Sequence, residues 1–401
     1  MNRLLPGSRV AAALVLGVAL ISPASPAQAA PGTCNVKLGG PEPGDVPWAQ
    51  TRLGFDRAWT VTQGAGVAVA VIDSGVNTEQ SQMRLIHYVP GANVIAGAGP
   101  TDTRDCVGHG TAVAGIVAAP QVRTIAFTGV APKASIMPIK VTDQNQGIAP
   151  QAIADAIDAA IAAHVGVINI SIATNSDVAS LRQAIDRAEA HDVVVVAAAS
   201  DDGANANQTA YPAAYPTVLA VAASDRQDAV ANFSGTGRYI DLAAPGVKVE
   251  TPAPKSGYLP QDGTSFAAPY VSGAAALVRA AHPQLTAAQV RARLEATADP
   301  PPGLTVPSQQ YGYGIVNPYL AVTAVRDDSA TAPPPAKPQA IAPPLLLVKP
   351  DRHLQHLALA VGVALLGLAI LAWLGAAVVR RGSWFGRPPA RVGAREESIA
   401  P

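Results

Sequence analysis

Five short apolar runs, separated by stretches of a different periodicity, constrain this chain more than anything else in it. They lie at residues 67–72, 136–141, 165–170, 193–198 and 218–222. Such runs read as strands buried on both faces, as in a parallel sheet. Residues 151–163 and 178–190 instead place apolar residues at helical spacing, with polar residues between them. Strand, helix, strand, helix, strand predicts an α/β fold with helices covering both faces of the sheet. Two further helices are predicted at residues 265–281 and 286–296, with His282-Pro283 breaking between them. In such sheets a ligand site lies at the carboxyl ends of the strands, so catalytic side chains are expected there.

Composition narrows the function. The 401 residues are 49% hydrophobic, which excludes a disordered chain. Lys plus Arg equals Asp plus Glu, 28 against 28, and the body carries no strong basic run, which argues against nucleic acid as a partner. Two cysteines are too few for a disulfide scaffold or a closed Cys zinc site. No metal or cofactor motif stands out. Asp102 and Asp105 read as surface acids on a loop.

The ends carry two uncharged apolar runs. Arg3 and Arg9, the run at 10–21 and Ala27-Gln28-Ala29 follow the order of a signal peptide, expected over residues 1–29. Residues 357–379 hold no charge; as a helix they would span about 34 Å, enough for a hydrocarbon core of about 30 Å. Arg380, Arg381, Arg387, Arg391 and Arg395 follow, so the positive-inside rule puts the tail in the cytoplasm. Seven prolines (333, 334, 335, 338, 343, 344, 350) make the preceding segment a semi-rigid stalk. The expected organisation is a signal peptide (1–29), an N-terminal extension (30–57), a folded domain (58–326), a Pro-rich linker (327–353), a transmembrane helix (354–379) and a cytoplasmic tail (380–401). This describes a single-pass type I protein of the cell membrane with its bulk on the extracytoplasmic side.

Three segments carry chemistry. Residues 68–75 end a buried strand on Asp73, followed by Ser74-Gly75. His109 lies between Gly108 and Gly110 at a helix start. Ser265, in Gly263-Thr264-Ser265-Phe266-Ala267-Ala268-Pro269, opens an apolar helix, whose free N–H groups favour a developing oxyanion. Each has an ordinary alternative: a turn aspartate, a core histidine, an N-cap serine. Together they supply a nucleophile, a base and a carboxylate to orient the base.

In this order and in these surroundings the three segments resemble the signatures of the subtilisin-like serine proteases, the subtilases. The resemblance covers about residues 60–295 and includes Gly129-Val130-Ala131-Pro132, Val167-Ile168-Asn169-Ile170-Ser171 and Tyr211-Pro212-Ala213-Ala214-Tyr215-Pro216. It implies a subtilisin-like three-layer α/β sandwich with a mostly parallel central sheet, here with one C-terminal transmembrane helix. It implies endopeptidase chemistry: Ser265 attacks the scissile carbonyl, His109 is base then acid, and Asp73 orients His109. It places Ser171, Ile172, Ala173 and Ala198 along the bound peptide and Ala210 at the pocket base. None of these is charged, so a small or medium apolar side chain is expected in the pocket.

The wider layout resembles the mycosins, the membrane-anchored subtilases of mycobacterial type VII secretion systems. That implies a protein or peptide substrate, secretion-complex subunits as partners, and no cofactor. An exported chain favours a disulfide between Cys34 and Cys106, which would pin the extension beside the loop that carries His109. The extension then reads as a strap.

One position departs from the subtilase pattern. Where the family has a run like Ala-Ala-Ala-Gly-Asn, this chain has Ala197-Ala198-Ala199-Ser200-Asp201. An Asn amide donates to the oxyanion, whereas an ionised Asp only accepts. Losing one such donor costs about 100- to 1000-fold in turnover. A protonated Asp201 would donate; Asn205 or Asn207 would need an unusual loop path to replace it. Two functions therefore stay open: an active serine endopeptidase, or a structural subunit whose site is slow or vestigial.

Overall fold

The computed structural model describes residues 34, 36–144, 148–203, 208–328 and 365–377. The chain divides into two compact units, Met1–Gln339 and Ala340–Pro401.

In the first unit the five apolar runs become neighbouring strands of one sheet. They are β1 (Ala68–Asp73), β4 (Ser135–Lys140), β5 (Val167–Ile170), β6 (Val194–Ala198) and β7 (Val218–Ser224). Two short strands, β2 (His87–Tyr88) and β3 (Ala92–Asn93), share one edge, and β8 (Leu242–Pro245) forms the other. The order is β2-β4-β1-β5-β6-β7-β8 with β3 also on β4, and every pairing is parallel. Register is set by the pleat. Val69 and Val71 point into one core with Val194, Val196 and Ala198; Ala70 and Ile72 point into the other with Val195 and Ala197. Both faces are apolar, which is why these runs lack polar alternation.

Helices cover each face. α2 (His109–Ala118) and α5 (Thr264–Ala281) pack on the first, α3 (Pro150–Ala162) and α4 (Ala179–Ala190) on the second. The observed architecture is a three-layer α/β sandwich. α5 is about 27 Å long and is built from small residues that permit close approach. A β-carbon on Gly273 would lie 2.5 Å from that of Val130. α6 (Ala287–Ala296) starts at a capping box made by Thr286 and Gln289. Buried Arg293 ties it to α7 (Pro318–Thr323) through the carbonyls of Ala321 and Ala324.

The extension runs along the domain as a strap. Cys34 is bonded to Cys106. Gly40 pairs with Tyr258 on the hairpin formed by β9 (Val249–Pro252) and β10 (Tyr258–Gln261). The indole of Trp48, in α1 (Trp48–Leu53), donates to the carbonyl of Lys248. Arg52 then bridges Asp228 and Asp299.

In the second unit residues 365–377 form a helix about 20 Å long. Among the described residues no helix is long and apolar enough to cross a membrane. The rest of the expected span, the signal peptide, the linker beyond Asp328 and the tail lie outside the described residues.

The Cys34–Cys106 bond closes a loop of 72 residues, worth about 4 kcal/mol in the chain-entropy account. Replacing both cysteines by serine is expected to lower the unfolding free energy by about that amount, read from urea denaturation of the oxidised and variant chains.

Candidate active site

The carboxyl ends of three adjacent strands, β1, β5 and β6, converge on one cleft of about 420 Å³. β1 delivers Asp73, β5 leads into Ser171, Ile172 and Ala173, and β6 leads through Ala198 to Asp201. The first turns of α2 and α5 close the cleft with His109 and Ser265. Among the described residues all that line the cleft lie between 73 and 265, and none belongs to the strap.

His109 is held at both ring nitrogens. Nδ1 lies 2.8 Å from Asp73 Oδ1 and 2.9 Å from Oδ2, and Nε2 lies 2.9 Å from Ser265 Oγ. A carboxylate only accepts, so Nδ1 carries the hydrogen and Nε2 is left to accept from the serine hydroxyl. The ring packs against Phe266, with centroids 5.0 Å apart. This approach of α2 to β1 requires Gly110, whose β-carbon would lie 2.2 Å from the carbonyl oxygen of Gly75 and 3.0 Å from Cβ of Asp73.

Behind this pair sits Asp105, which corrects the expectation of a surface acid. It is fully buried. Its Oδ1 accepts from Ser74 Oγ and the N–H groups of Val107 and Gly108; its Oδ2 accepts from the N–H and Oγ of Thr111. These bonds fold the loop from Cys106 into the start of α2, and so aim His109. Asp102 is exposed, as expected.

Ser265 is positioned through its carbonyl. Pro269 lies four residues on and has no N–H to offer it. Ser171 Oγ donates to that carbonyl instead, at 2.7 Å. Asn169 Nδ2 donates to Ser171 Oγ, and Ser272 Oγ donates to Asn169 Oδ1. Ser171 therefore lines the cleft but spends its hydroxyl on the backbone of Ser265. Asn169 and Ser272 were not singled out in the sequence. The available signal was a polar residue inside an otherwise apolar strand.

Ala210, expected at the pocket base, is fully buried in the core on the α3–α4 face and is not among the lining residues. The lining also includes Asp202 beside Asp201, next to the uncharged Ser171, Ile172, Ala173 and Ala198. Ser200 turns the chain between them and β6 with φ of 79°, a left-handed conformation where glycine is favoured. Asp201 Oδ1 accepts from the N–H of Thr264 at 2.7 Å and its Oγ1 at 2.8 Å. Asn205 and Asn207 lie outside the described residues.

Electrostatics follow from this crowding of acids around one imidazole. Burial acts to lower the pKa of His109, but the charge and hydrogen bond of Asp73, with the fields of Asp105 and Asp201, turn the net shift upward. A raised pKa favours the protonated ring in the folded chain. That stabilisation is full at acid pH and fades as pH rises through the raised value. Burial likewise pushes the carboxyl of Asp201 up, against the Thr264 hydrogen bonds and the field of His109. Among the described residues no group of His, Cys, Asp and Glu is placed to hold a metal ion.

Asp105→Asn removes one charge that raises His109. The titration of His109, followed by the NMR signals of its ring protons, is expected to move to lower pH, with loss of thermal stability as the amide disrupts the loop bonds.

Comparison with known proteins agrees with this geometry. The family described as "Peptidase_S8: Subtilase family" matches residues 64–314. Subtilisin DY of Bacillus licheniformis is 39% identical over 257 residues, covering 64% of this chain and 90% of the relative. The crystal structure of MycP1 from Mycobacterium smegmatis superposes with a TM-score of 0.65 at 30% identity, covering 74% of this chain and 90% of that one. MycP3 protease from the type VII (ESX-3) secretion system gives 0.62 at 32%, covering 72% and 91%. Three-layer fold, site geometry and sequence matches agree: the chain belongs to the subtilase family of serine peptidases.

Proposed function

We propose that the chain is a serine endopeptidase, anchored in the cell membrane with its peptidase domain on the extracytoplasmic side, that serves a type VII secretion complex. The single observation that carries the catalytic part is the two-sided hydrogen bonding of His109, to Asp73 and to Ser265.

In this reading Ser265 Oγ attacks the scissile carbonyl carbon while its proton passes to His109 Nε2. Asp73 holds the imidazolium that forms. The carbonyl π pair moves to oxygen, beside the N–H groups of the first turn of α5. When the C–N bond breaks, the pair goes to nitrogen and His109 returns the proton to it. Water then repeats the sequence on the acyl-enzyme and frees Ser265. Ile172, Ala173 and Ala198 flank the peptide along the cleft.

Anchoring is supported by the uncharged run at 357–379 and the five arginines after it. Within that run the helix at 365–377 leaves Leu366, Leu371 and Trp373 exposed. The secretion role is supported by likeness to MycP1 and MycP3, the latter a protease from a type VII system. A second reading, a scaffold subunit with a slow site, is favoured by Asp201 standing where the family has an asparagine.

Three experiments test these readings. Full-length chain treated with a fluorophosphonate probe is expected to label at Ser265. Labelling is expected to vanish in Ser265→Ala and to slow by about 10⁴-fold in Asp73→Asn. In cells, Ser265→Ala with secretion intact but substrate uncleaved favours the scaffold, whereas loss of both favours catalysis. A chain ending at residue 353 is expected to leave the membrane fraction; if it stays there, the C-terminal run is not the anchor.

A further inference from the structure

We propose that Asp201 works as a neutral carboxylic acid that donates the hydrogen on Oδ2 to the substrate oxygen made negative by Ser265. The proposal rests on the serine-peptidase reading of the site.

Its first support is geometric. Oδ1 already accepts both the N–H and the hydroxyl of Thr264, which fixes the carboxyl plane and leaves Oδ2 as the working oxygen. A carboxylic acid accepts through its carbonyl oxygen as a carboxylate does, so the anchor survives protonation. Oδ2 faces the space beside the nucleophile. A β-carbon on Gly263 would lie 2.9 Å from Oδ2 and 3.0 Å from Ser265 Oγ. Both oxygens thus border the position of that missing β-carbon and lie no more than about 6 Å apart, a span that a substrate oxygen bridges when its carbon is bonded to Oγ and Oδ2 donates to it. A side chain at residue 263, where φ is 149°, would crowd both oxygens, so the position calls for glycine.

The second support is chemical. An ionised Oδ2 offers no donor and would place negative charge against the oxygen where negative charge develops. Only the protonated form is productive there. The surroundings tilt the balance that way. Burial favours the neutral acid, and so does Asp202, its chain neighbour. Thr264 on α5 and His109 on α2 oppose them, with Asp73 on β1 and Asp105 before α2 acting on His109. The net shift of Asp201 is upward.

In the step itself the Ser265 Oγ–carbon bond forms, the carbonyl π pair moves to oxygen, and the Oγ proton goes to His109 Nε2. The Asp201 proton stays on Oδ2 and shortens its hydrogen bond to the new oxyanion. On collapse the C–N bond breaks, nitrogen takes the pair and receives the proton from His109. Asp201 ends as it began.

The requirement is one proton on Asp201 and none on His109. With both protonated there is no base; with neither there is no donor. The rate is therefore bell-shaped in pH, and both limbs belong to the pair. Asn in place of Asp201 keeps a donor that does not titrate. Asp201→Asn should lose the alkaline limb and keep a single rise as His109 deprotonates.

The test is the second-order rate of fluorophosphonate labelling at Ser265, from acid to alkaline pH, on the full-length chain in mild detergent. The phosphonyl oxygen of the probe occupies the oxyanion position. Wild type is expected to fall about tenfold per pH unit beyond its upper limb, while Asp201→Asn levels off and exceeds it there. A wild-type rate that plateaus at alkaline pH, or curves of one shape in both chains, overturns the proposal. No labelling of any folded chain, Asp201→Asn included, overturns the serine-peptidase reading and the proposal with it. If Asp201→Asn does not fold, the wild-type curve decides alone. A reversible alkaline fall with unchanged circular dichroism supports the proposal, and a plateau overturns it.

Discussion

The carbonyl of Ser265 has no helical partner, because Pro269 stands where the donor should be, and the hydroxyl of Ser171 fills that vacancy. Much of the site hangs on this bond. It ties the first turn of α5, which carries Ser265, to the end of β5. Asn169 extends the tie to Ser272, about two turns beyond Ser265 along α5. A buried polar chain like this one is costly unless every member is satisfied. Here each hydroxyl and amide has a partner, and the result is a fixed origin from which the 2.9 Å gap to His109 is measured.

His109 is fixed from the opposite side by different means. Asp105 gathers five donors, four from residues 107–111 and one from Ser74 just past β1, and the compact knot it forms sets where α2 begins. The two anchoring systems share no residue. They meet where the imidazole bonds the Ser265 hydroxyl and packs against Phe266. A carboxylate knot beside α2 and a hydroxyl–amide chain beside α5 thus hold His109 and Ser265 through separate residues, while Asp73 at the end of β1 connects His109 to the sheet.

Much of this was legible in the sequence, for identifiable reasons. The five central strands show because burial on both faces leaves no room for polar residues in them. Asp73, His109 and Ser265 show because each lies in a short segment whose glycines and small residues serve close packing. The edges were not legible. β2 and β3 are two residues each, and β8 is four residues ending in a proline. Asp105 reads as a surface acid in the sequence because three of its five donors are backbone N–H groups, and backbone donors leave no trace in residue types. Ala210 was misplaced for a related reason: its neighbours Tyr211-Pro212 identify the loop, but not the face to which a methyl group turns. Asn169 stood in plain view within an apolar run, yet its partner Ser272 lies 103 positions away.

The bond between Cys34 and Cys106 has a mechanical side. It makes residues 34–106 a closed ring whose ends stay 4.9 Å apart between α-carbons. Asp73 lies inside that ring; His109 and Ser265 lie outside it. A chain pulled from its two ends can release length only from the segments before Cys34 and beyond Cys106. The strand that carries Asp73 would thus keep its span inside the closed ring while the segments that carry His109 and Ser265 extend.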